Sequence, residues 1–225
     1  MAGGCDENDD ELSSAEVYDS KSDKWSSLPD MKKKLSGCGV TSVNGKVYAA
    51  GGCDYGGIWL ASCEMFDPDT NEWGTIPDMN EARSGCASCA VGDKLYVIGG
   101  YNNDYGWLSS IEVFDTRTQE WTSLPNMTTK QIGCAAVSIG NKIYVFGGYN
   151  GGTCLSSAEV YDVTTQECTR LPDMKERRWG CAAAIVGIRI VIVGGWDGSD
   201  HHSSCEVFDT STNTWSSPIP DMKEE

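Results

Sequence analysis

Residues 96–106 read YVIGGYNNDYG, and the fold follows from the way this stretch recurs. A run of strand-forming residues ends at Gly99-Gly100, and a loop of Tyr, Asn and Asp follows. Glycine has no Cβ, so it can adopt a positive φ or let another backbone approach closely. Equivalent Gly-Gly pairs are separated by 48, 48, 48 and 47 residues, and they stand at 3–4, 51–52, 99–100, 147–148 and 194–195.

Other residues repeat with the same step. An aromatic residue followed by Asp recurs at the same position of every unit, and a Trp stands six residues after that Asp in four of the five units, with Cys168 in the fourth. A Gly-Cys pair opens each unit after the first. A fixed period in this range is the signature of a repeat architecture. Because no linker interrupts the repeats, they predict one domain, with units of approximately 1–36, 37–84, 85–132, 133–179 and 180–225.

Each unit contains four short segments typical of strands, here called a to d. In the third unit they span 86–91, 94–100, 110–115 and 120–125. Two-residue turn signals such as Gly92-Asp93 separate a from b and predict a tight hairpin. Strands b and c are apolar on both faces, as expected when a sheet is covered on both sides. Four-stranded blades around an axis meet that requirement, with the small residues of strand a innermost.

A Gly-Gly pair, an aromatic-Asp pair and a Trp six residues later, at a period near 50, resemble the kelch repeat over essentially the whole chain. The resemblance implies an all-β fold, a kelch-type β-propeller of about five blades with four antiparallel strands each. Kelch rings usually close when both chain ends complete one blade. The chain has five c–d pairs but only four a–b hairpins. We therefore expect an open or incomplete ring, or a fragment of a larger propeller, whose edge can pair with a strand of another chain.

Charge and cysteine usage restrict the class of protein. A formal net charge of −16 argues against nucleic-acid binding. No apolar run approaches the roughly 20 residues of a membrane helix, and no signal peptide is visible, so we expect no membrane association. The eleven cysteines recur at equivalent positions of different units, too far apart for disulfides. They predict buried, reduced thiols and a cytoplasmic protein.

The long b–c loops carry many aromatic residues, and they share one face with the d–a loops, which contribute two arginines. Loops on a rigid scaffold often carry binding residues, and Tyr and Trp are common anchors. We therefore predict a binding site for a protein or peptide, formed by Tyr55, Trp59, Arg83, Tyr101, Tyr105, Trp107, Tyr149, Arg178 and Trp196. The alternative is that the rings pack over neighbouring loops and the arginines pair with acids such as Glu81 and Glu176.

The charges on this face also differ between the two sets of loops. The b–c loops hold nine acids and no base, whereas the d–a loops carry a net charge of +3. This pattern predicts a basic centre inside an acidic ring. With Arg83 and Arg178 at the centre, it favours a partner that inserts an acidic or amide side chain.

The resemblance implies a protein-interaction module, similar to the substrate-binding domains of ubiquitin-ligase adaptors and to cytoskeletal scaffolds. A structural subunit of a larger assembly and a kelch-type enzyme are the alternatives. Asp197 and His201 resemble part of the Glu-x3-Asp-x3-His iron motif of plant specifier proteins, but Val193 occupies the Glu position. Two histidines are also too few for a copper radical oxidase of the galactose oxidase type. We therefore expect no catalytic residues, no metal and no cofactor.

Overall fold

The computed structural model describes residues 2–8, 10–54, 56–216 and 220–222. In these residues the regular secondary structure is entirely β, and it forms four four-stranded antiparallel sheets and two two-stranded ones. The all-β prediction is therefore confirmed. Among the described residues there is no helix that could span a membrane.

The strands follow the predicted a-b-c-d order in each complete blade. Blade 1 has only strands c and d, which are β1 (Ala15–Asp19) and β2 (Lys24–Leu28). Blade 2 consists of β3 (Gly39–Val43), β4 (Lys46–Ala50), β5 (Cys63–Asp67) and β6 (Glu72–Ile76). Blade 3 consists of β7 (Ala87–Val91), β8 (Lys94–Ile98), β11 (Ile111–Asp115) and β12 (Glu120–Leu124). Its b–c loop adds the short hairpin of β9 (Tyr101–Asn102) and β10 (Gly106–Trp107).

The last two blades are also complete. Blade 4 consists of β13 (Ala135–Ile139), β14 (Lys142–Phe146), β15 (Ala158–Asp162) and β16 (Glu167–Arg170). Blade 5 consists of β17 (Ala182–Val186), β18 (Arg189–Val193), β19 (Cys205–Asp209) and β20 (Thr214–Ser216). The inner strands β3, β7, β13 and β17 lie side by side in that order.

The a–b turns are the predicted two-residue hairpins. Val91 pairs with Lys94 across Gly92-Asp93, and Gly92 has φ 57°. The c–d turns depend on the Asp that follows the aromatic residue in each unit. Asp115 Oδ1, for example, accepts the N–H of Arg117 at 2.9 Å. Hydrogen bonds from the Arg117 backbone and from Lys94 lower the pKa of Asp115 below its usual value.

The Gly-Gly pairs sit where two d–a loops cross the end of strand b. Gly99 has φ +64° and Gly100 has φ +103°. A Cβ on Gly99 would lie 2.6 Å from the Gln131 carbonyl oxygen, and one on Gly100 would lie 2.9 Å from that of Ser84. The pair is therefore required both by its backbone conformation and by close approach.

The core lies between blades, and the repeated Trp packs there in blades 2, 3 and 5. Trp73, Trp121 and Trp215 lie against the aromatic residue of their own strand c. Each donates its indole N–H to a proline carbonyl of the preceding blade at 2.8–2.9 Å. In blade 4, Cys168 instead contacts the Met127 sulfur at 3.8 Å. The Cys168 sulfur also lies 3.1 Å from Glu159 Oε2, and the buried Tyr161 hydroxyl of this blade lacks a hydrogen-bond partner among the described residues.

Both ends of the array present apolar side chains to solvent. In blade 1, Tyr18 is 44% exposed and Trp25 is 57% exposed, whereas Phe114, at the position of Tyr18 in blade 3, is 0% exposed. At the other end Val186 and Ile188 are exposed. With four complete blades and one two-stranded blade in the described residues, the predicted incomplete ring is confirmed.

Candidate functional site

Each b–c loop begins with a turn that a side chain closes. The residue two positions after Gly-Gly is Asp or Asn in every unit. Asn150 Oδ1 accepts the N–H of Gly152 at 3.0 Å, and Asp197 Oδ1 accepts the N–H of Ser199 at 2.7 Å. This role was not predicted, although the repeated Gly-Gly-x-Asp/Asn pattern indicates it. Tyr55 lies outside the described residues.

The residue directly after Gly-Gly joins the b–c loop to a d–a loop. Tyr101 bridges to Ser84, Tyr149 to Ile132, and Trp196 to Trp179. Each bridge links one blade's b–c loop to the d–a segment that enters the same blade. The two kinds of loop therefore form one continuous surface, which we call the loop face.

Aromatic rings form a row across the loop face from blade 2 to the start of blade 5. Their centroids are 5.2–6.3 Å apart along the series, which is the usual range for interacting aromatic pairs. We call this series the aromatic row: Trp59, Tyr101, Trp107, Tyr149 and Trp179. Four of its members were predicted site residues. The fifth, Trp179, was not predicted, and it stands directly before the Gly-Cys pair of the last unit.

The rings of the row pack over neighbouring loops, as the alternative interpretation expected, but they also keep solvent-exposed surface. The first four are half-buried, and Trp179 is 42% exposed. Tyr105, at the tip of the blade 3 loop, is 70% exposed, and Trp196 is half-buried against the His201 ring, with centroids 4.6 Å apart. The row is thus a supported surface and not a set of free side chains.

Two glycines make room for these rings. A Cβ on Gly151 would lie 2.6 Å from the Trp107 ring, and one on Gly133 would lie 2.3 Å from Trp179 Nε1. Both glycines have positive φ, at 94° and 65°. Glycine at these two positions therefore lets the rings of Trp107 and Trp179 lie directly against the backbone.

A cleft of about 720 Å³ opens beside the row, between the loops of blades 3, 4 and 5. Its aromatic walls are Trp107, Tyr149, Trp179 and Trp196. Its polar lining includes Thr153, Arg177 and Asp197, and Arg177 Nη1 donates to Thr153 Oγ1 at 3.0 Å. Three of the predicted aromatic residues are brought together in this cleft.

The two predicted arginines do not reach the loop face. Arg83 is fully buried, and its Nη2 contacts Glu112 Oε1 at 2.9 Å and Glu81 Oε2 at 3.0 Å. Arg178 is also fully buried, and its Nε donates to Glu206 Oε1 at 3.1 Å. Both guanidinium groups also donate to the carbonyl of the first glycine in a Gly-Gly pair. Because these contacts hold the loops together and leave no exposed surface, we remove both arginines from the proposed contact residues.

A buried glutamate in strand c links neighbouring blades. Glu112 is 1% exposed and accepts the backbone N–H groups of Asn80 at 2.7 Å and Glu81 at 3.0 Å, in the d–a loop before its blade. Glu64 and Glu206 accept two backbone N–H groups in the same way, whereas Glu159 accepts the Thr128 N–H and the hydroxyls of Thr128 and Thr129. The role of these residues was not predicted, although Glu is the second residue of strand c in all five units.

The weak metal candidates serve other purposes. Asp197 Oδ1 closes its turn, and its Oδ2 faces His202 Nε2 at 3.5 Å, whereas His201 packs on Trp196. The backbone N–H groups of Asp200 and Ser199 hold the pKa of Asp197 below its usual value. Within the described ranges, no group of three or more His, Cys, Asp or Glu side chains could hold a metal ion.

The cysteines are free thiols, all eleven of them. Burial raises the pKa of Cys38 to about 12 and that of Cys181 to about 11, and both follow a glycine at the start of a unit. Such thiols carry little thiolate at neutral pH, so they are packing residues and not nucleophiles.

Comparison with known proteins agrees with this architecture. A family model described as the Attractin/LZTR1 beta-propeller matches residues 1–224. A search of the curated proteins finds no match to this chain. The family match spans the five repeat units and the blades that they form. The chain therefore belongs to the Attractin/LZTR1 β-propeller family, whose propellers are of the kelch type.

Proposed function

We propose that this propeller is a protein-interaction module that binds a partner protein or peptide through its loop face. The observation that carries the proposal is the aromatic row beside the cleft of about 720 Å³. Tyr and Trp dominate the binding energy of many protein interfaces. The proposed contact residues are the row together with Tyr105 and Trp196.

The packing of the row favours binding because it reduces the entropic cost. Trp107 lies between Tyr101 and Tyr149, with ring centroids 5.2 and 6.3 Å away. A side chain that is already held in place loses less freedom when a partner binds. The cleft volume also falls within the usual range of ligand pockets, roughly 300–1,000 Å³.

In the cell, we propose that the module acts in the cytoplasm as a substrate receptor of a ubiquitin ligase or as a scaffold. The free thiols support a reducing compartment. A metal-dependent enzyme is the less favoured function, since Asp197 already closes a turn through Oδ1 and His201 packs on Trp196. The proposed site therefore recognises a partner and performs no chemistry on it.

The test is capture of partners from a lysate by the isolated chain and by a variant with Trp107, Trp179 and Trp196 changed to Ala. Trp25→Ala is the matched control, because Trp25 is 57% exposed but lies at the far end of the array in blade 1. We expect partners that bind the wild type and the control but not the triple variant. Partners retained equally by all three proteins would exclude the loop face.

A structural role through the ends of the array is the second candidate. In blade 1, β1 pairs with β2 on one side, and on its other side a single bridge from Ala15 to Ala2 is described. Val17 is an exposed residue of β1, and among the described residues no further strand pairs with that side of β1, which favours pairing with another chain. Sedimentation of the wild type and of Val17→Lys tests this, since a lysine on an edge opposes association. Equal, concentration-independent monomers would count against it.

A further inference from the structure

We infer that the segment which enters the cleft is basic, and that a Lys or Arg side chain of the partner lies against the aromatic rings with Asp197 as its counter-ion. This inference rests on the proposed function and names the chemistry of its partner. It replaces the prediction made from the sequence, in which the partner inserts an acidic or amide side chain.

The reversal follows from where the arginines lie. Arg83 and Arg178 are buried, and each pairs with a buried carboxylate of strand c, Glu112 or Glu206. Without them, the d–a loops contain six bases and five acids, so these loops are close to neutral. The b–c loops hold nine acids and no Lys or Arg, and three of those acids, Asp104, Asp197 and Asp200, are in the loops of blades 3 to 5 that border the cleft. Because salt screens charges beyond roughly 8 Å, these nearby carboxylates, and not the acids of blade 1, decide the charge beside the cleft.

The cleft itself offers the groups that bind an organic cation. Three Trp rings and one Tyr ring line it, and the negative faces of such rings attract guanidinium and ammonium groups. Asp197 supplies a carboxylate at the same wall. Its Oδ1 accepts two backbone N–H groups, and the low pKa that results keeps it charged at neutral pH. Only Oδ2 remains for a partner, beside His202.

Arg177 is the one lining residue of the cleft with a full positive charge among those described. Its guanidinium donates to the Thr153 hydroxyl, which holds it at the rim. If the ligand is cationic, Arg177 opposes it, and its removal should tighten binding. If the ligand is anionic, the same substitution should weaken binding. Whether removal of Arg177 strengthens or weakens binding therefore distinguishes a cationic ligand from an anionic one.

The probe is a displayed library of random linear 12-residue peptides, selected on the wild type and counter-selected on the Trp107/Trp179/Trp196→Ala variant. We expect enrichment of Lys and Arg over the input library and depletion of Asp and Glu. Cleft-dependent enrichment of Asp, Glu or amide residues would overturn the inference but leave the proposed function standing. No cleft-dependent enrichment would count against both.

The selected peptide is then titrated against single variants. Asp197→Asn keeps the turn acceptor, as Asn102 and Asn150 do in other units, and we expect it to weaken binding about fivefold. Trp179→Leu should weaken binding by a similar factor, and Arg177→Gln should strengthen it about two- to fivefold. Trp25→Leu should have no effect. An unchanged affinity for Asp197→Asn together with weaker binding for Arg177→Gln would overturn the inference.

Discussion

Substitution of the buried glutamate of blade 3 is the most informative perturbation of the fold. Glu112→Gln preserves shape but removes the charge that faces Arg83, which is 0% exposed. It also turns an amide N–H₂ toward backbone donors at Asn80 or Glu81. Breaking a buried ion pair by removing one partner costs about 3–5 kcal/mol. Because Arg83 keeps its contact with Glu81 Oε2 at 3.0 Å, we expect a loss near the lower end of this range.

Blade 4 provides an internal control for this magnitude. Glu159 occupies the same position and accepts the Thr128 N–H at 3.0 Å, but the arginine slot in the preceding loop holds Gln131. Glu159→Gln therefore leaves no buried cation behind. Its cost should be that of charge-assisted hydrogen bonds, about 1–3 kcal/mol. The expected difference between the two variants is about 1 kcal/mol, since Glu112→Gln should cost about 3 kcal/mol and Glu159→Gln about 2 kcal/mol.

The assay is urea denaturation monitored by tryptophan fluorescence. The denaturation midpoints of two variants can be compared when their m-values are equal. A second variant separates charge from packing. Adding Arg83→Gln to Glu112→Gln removes the buried cation that has lost Glu112 and gives blade 3 the same pair as Gln131 with Glu159→Gln in blade 4, so it should recover part of the lost stability. Equal losses for Glu112→Gln and Glu159→Gln, or a loss below about 1 kcal/mol for Glu112→Gln, would refute this reasoning.

Three further predictions concern the repeat. Gly100→Val should lower the free energy of unfolding by about 1–3 kcal/mol, because it forces a Cβ toward a carbonyl at positive φ. The control is Gly92→Asn, which lies in an open turn and should be nearly neutral. Equal melting temperatures for Gly100→Val and the wild type would contradict the prediction. A thiol reagent should label the exposed Cys5 first, because burial raises the pKa of the four Gly-Cys thiols and protects them. Rapid labelling of those four thiols in the native state would contradict this prediction. Because the folded-state pKa of Asp115 lies below its usual 3.8, its contribution is present above that pH and is lost as the pH falls through the lower, folded value. Asp115→Asn should therefore make the acid transition shallower, and an unchanged transition would count against this role.

The repeat made the architecture predictable from the sequence. The 48-residue step placed the strands of blade 3 within a residue or two of β7, β8, β11 and β12. The count of a–b hairpins predicted the incomplete ring. These features depend on local chemistry and on pairing between neighbours in the chain, and a pattern of residue types records both.

The site was less predictable because it depends on packing between units. Arg83 and Arg178 looked like surface residues of a loop, but each finds a buried carboxylate 28–29 residues away, in strand c of the next blade. Trp179 was overlooked because the same slot holds Ser or Ile in other units. Its ring joins the row only because Gly133 leaves space for it.

The most direct test of the central claim, that the loop face binds the partner, is site-specific photo-crosslinking of a captured partner. Benzoylphenylalanine would replace Trp179 in one protein, Trp196 in a second and Trp25 in a third. We predict crosslinks to the partner from positions 179 and 196 and none from position 25. Crosslinks from position 25, with none from the other two, would place the binding site at the end of the array and contradict the proposal.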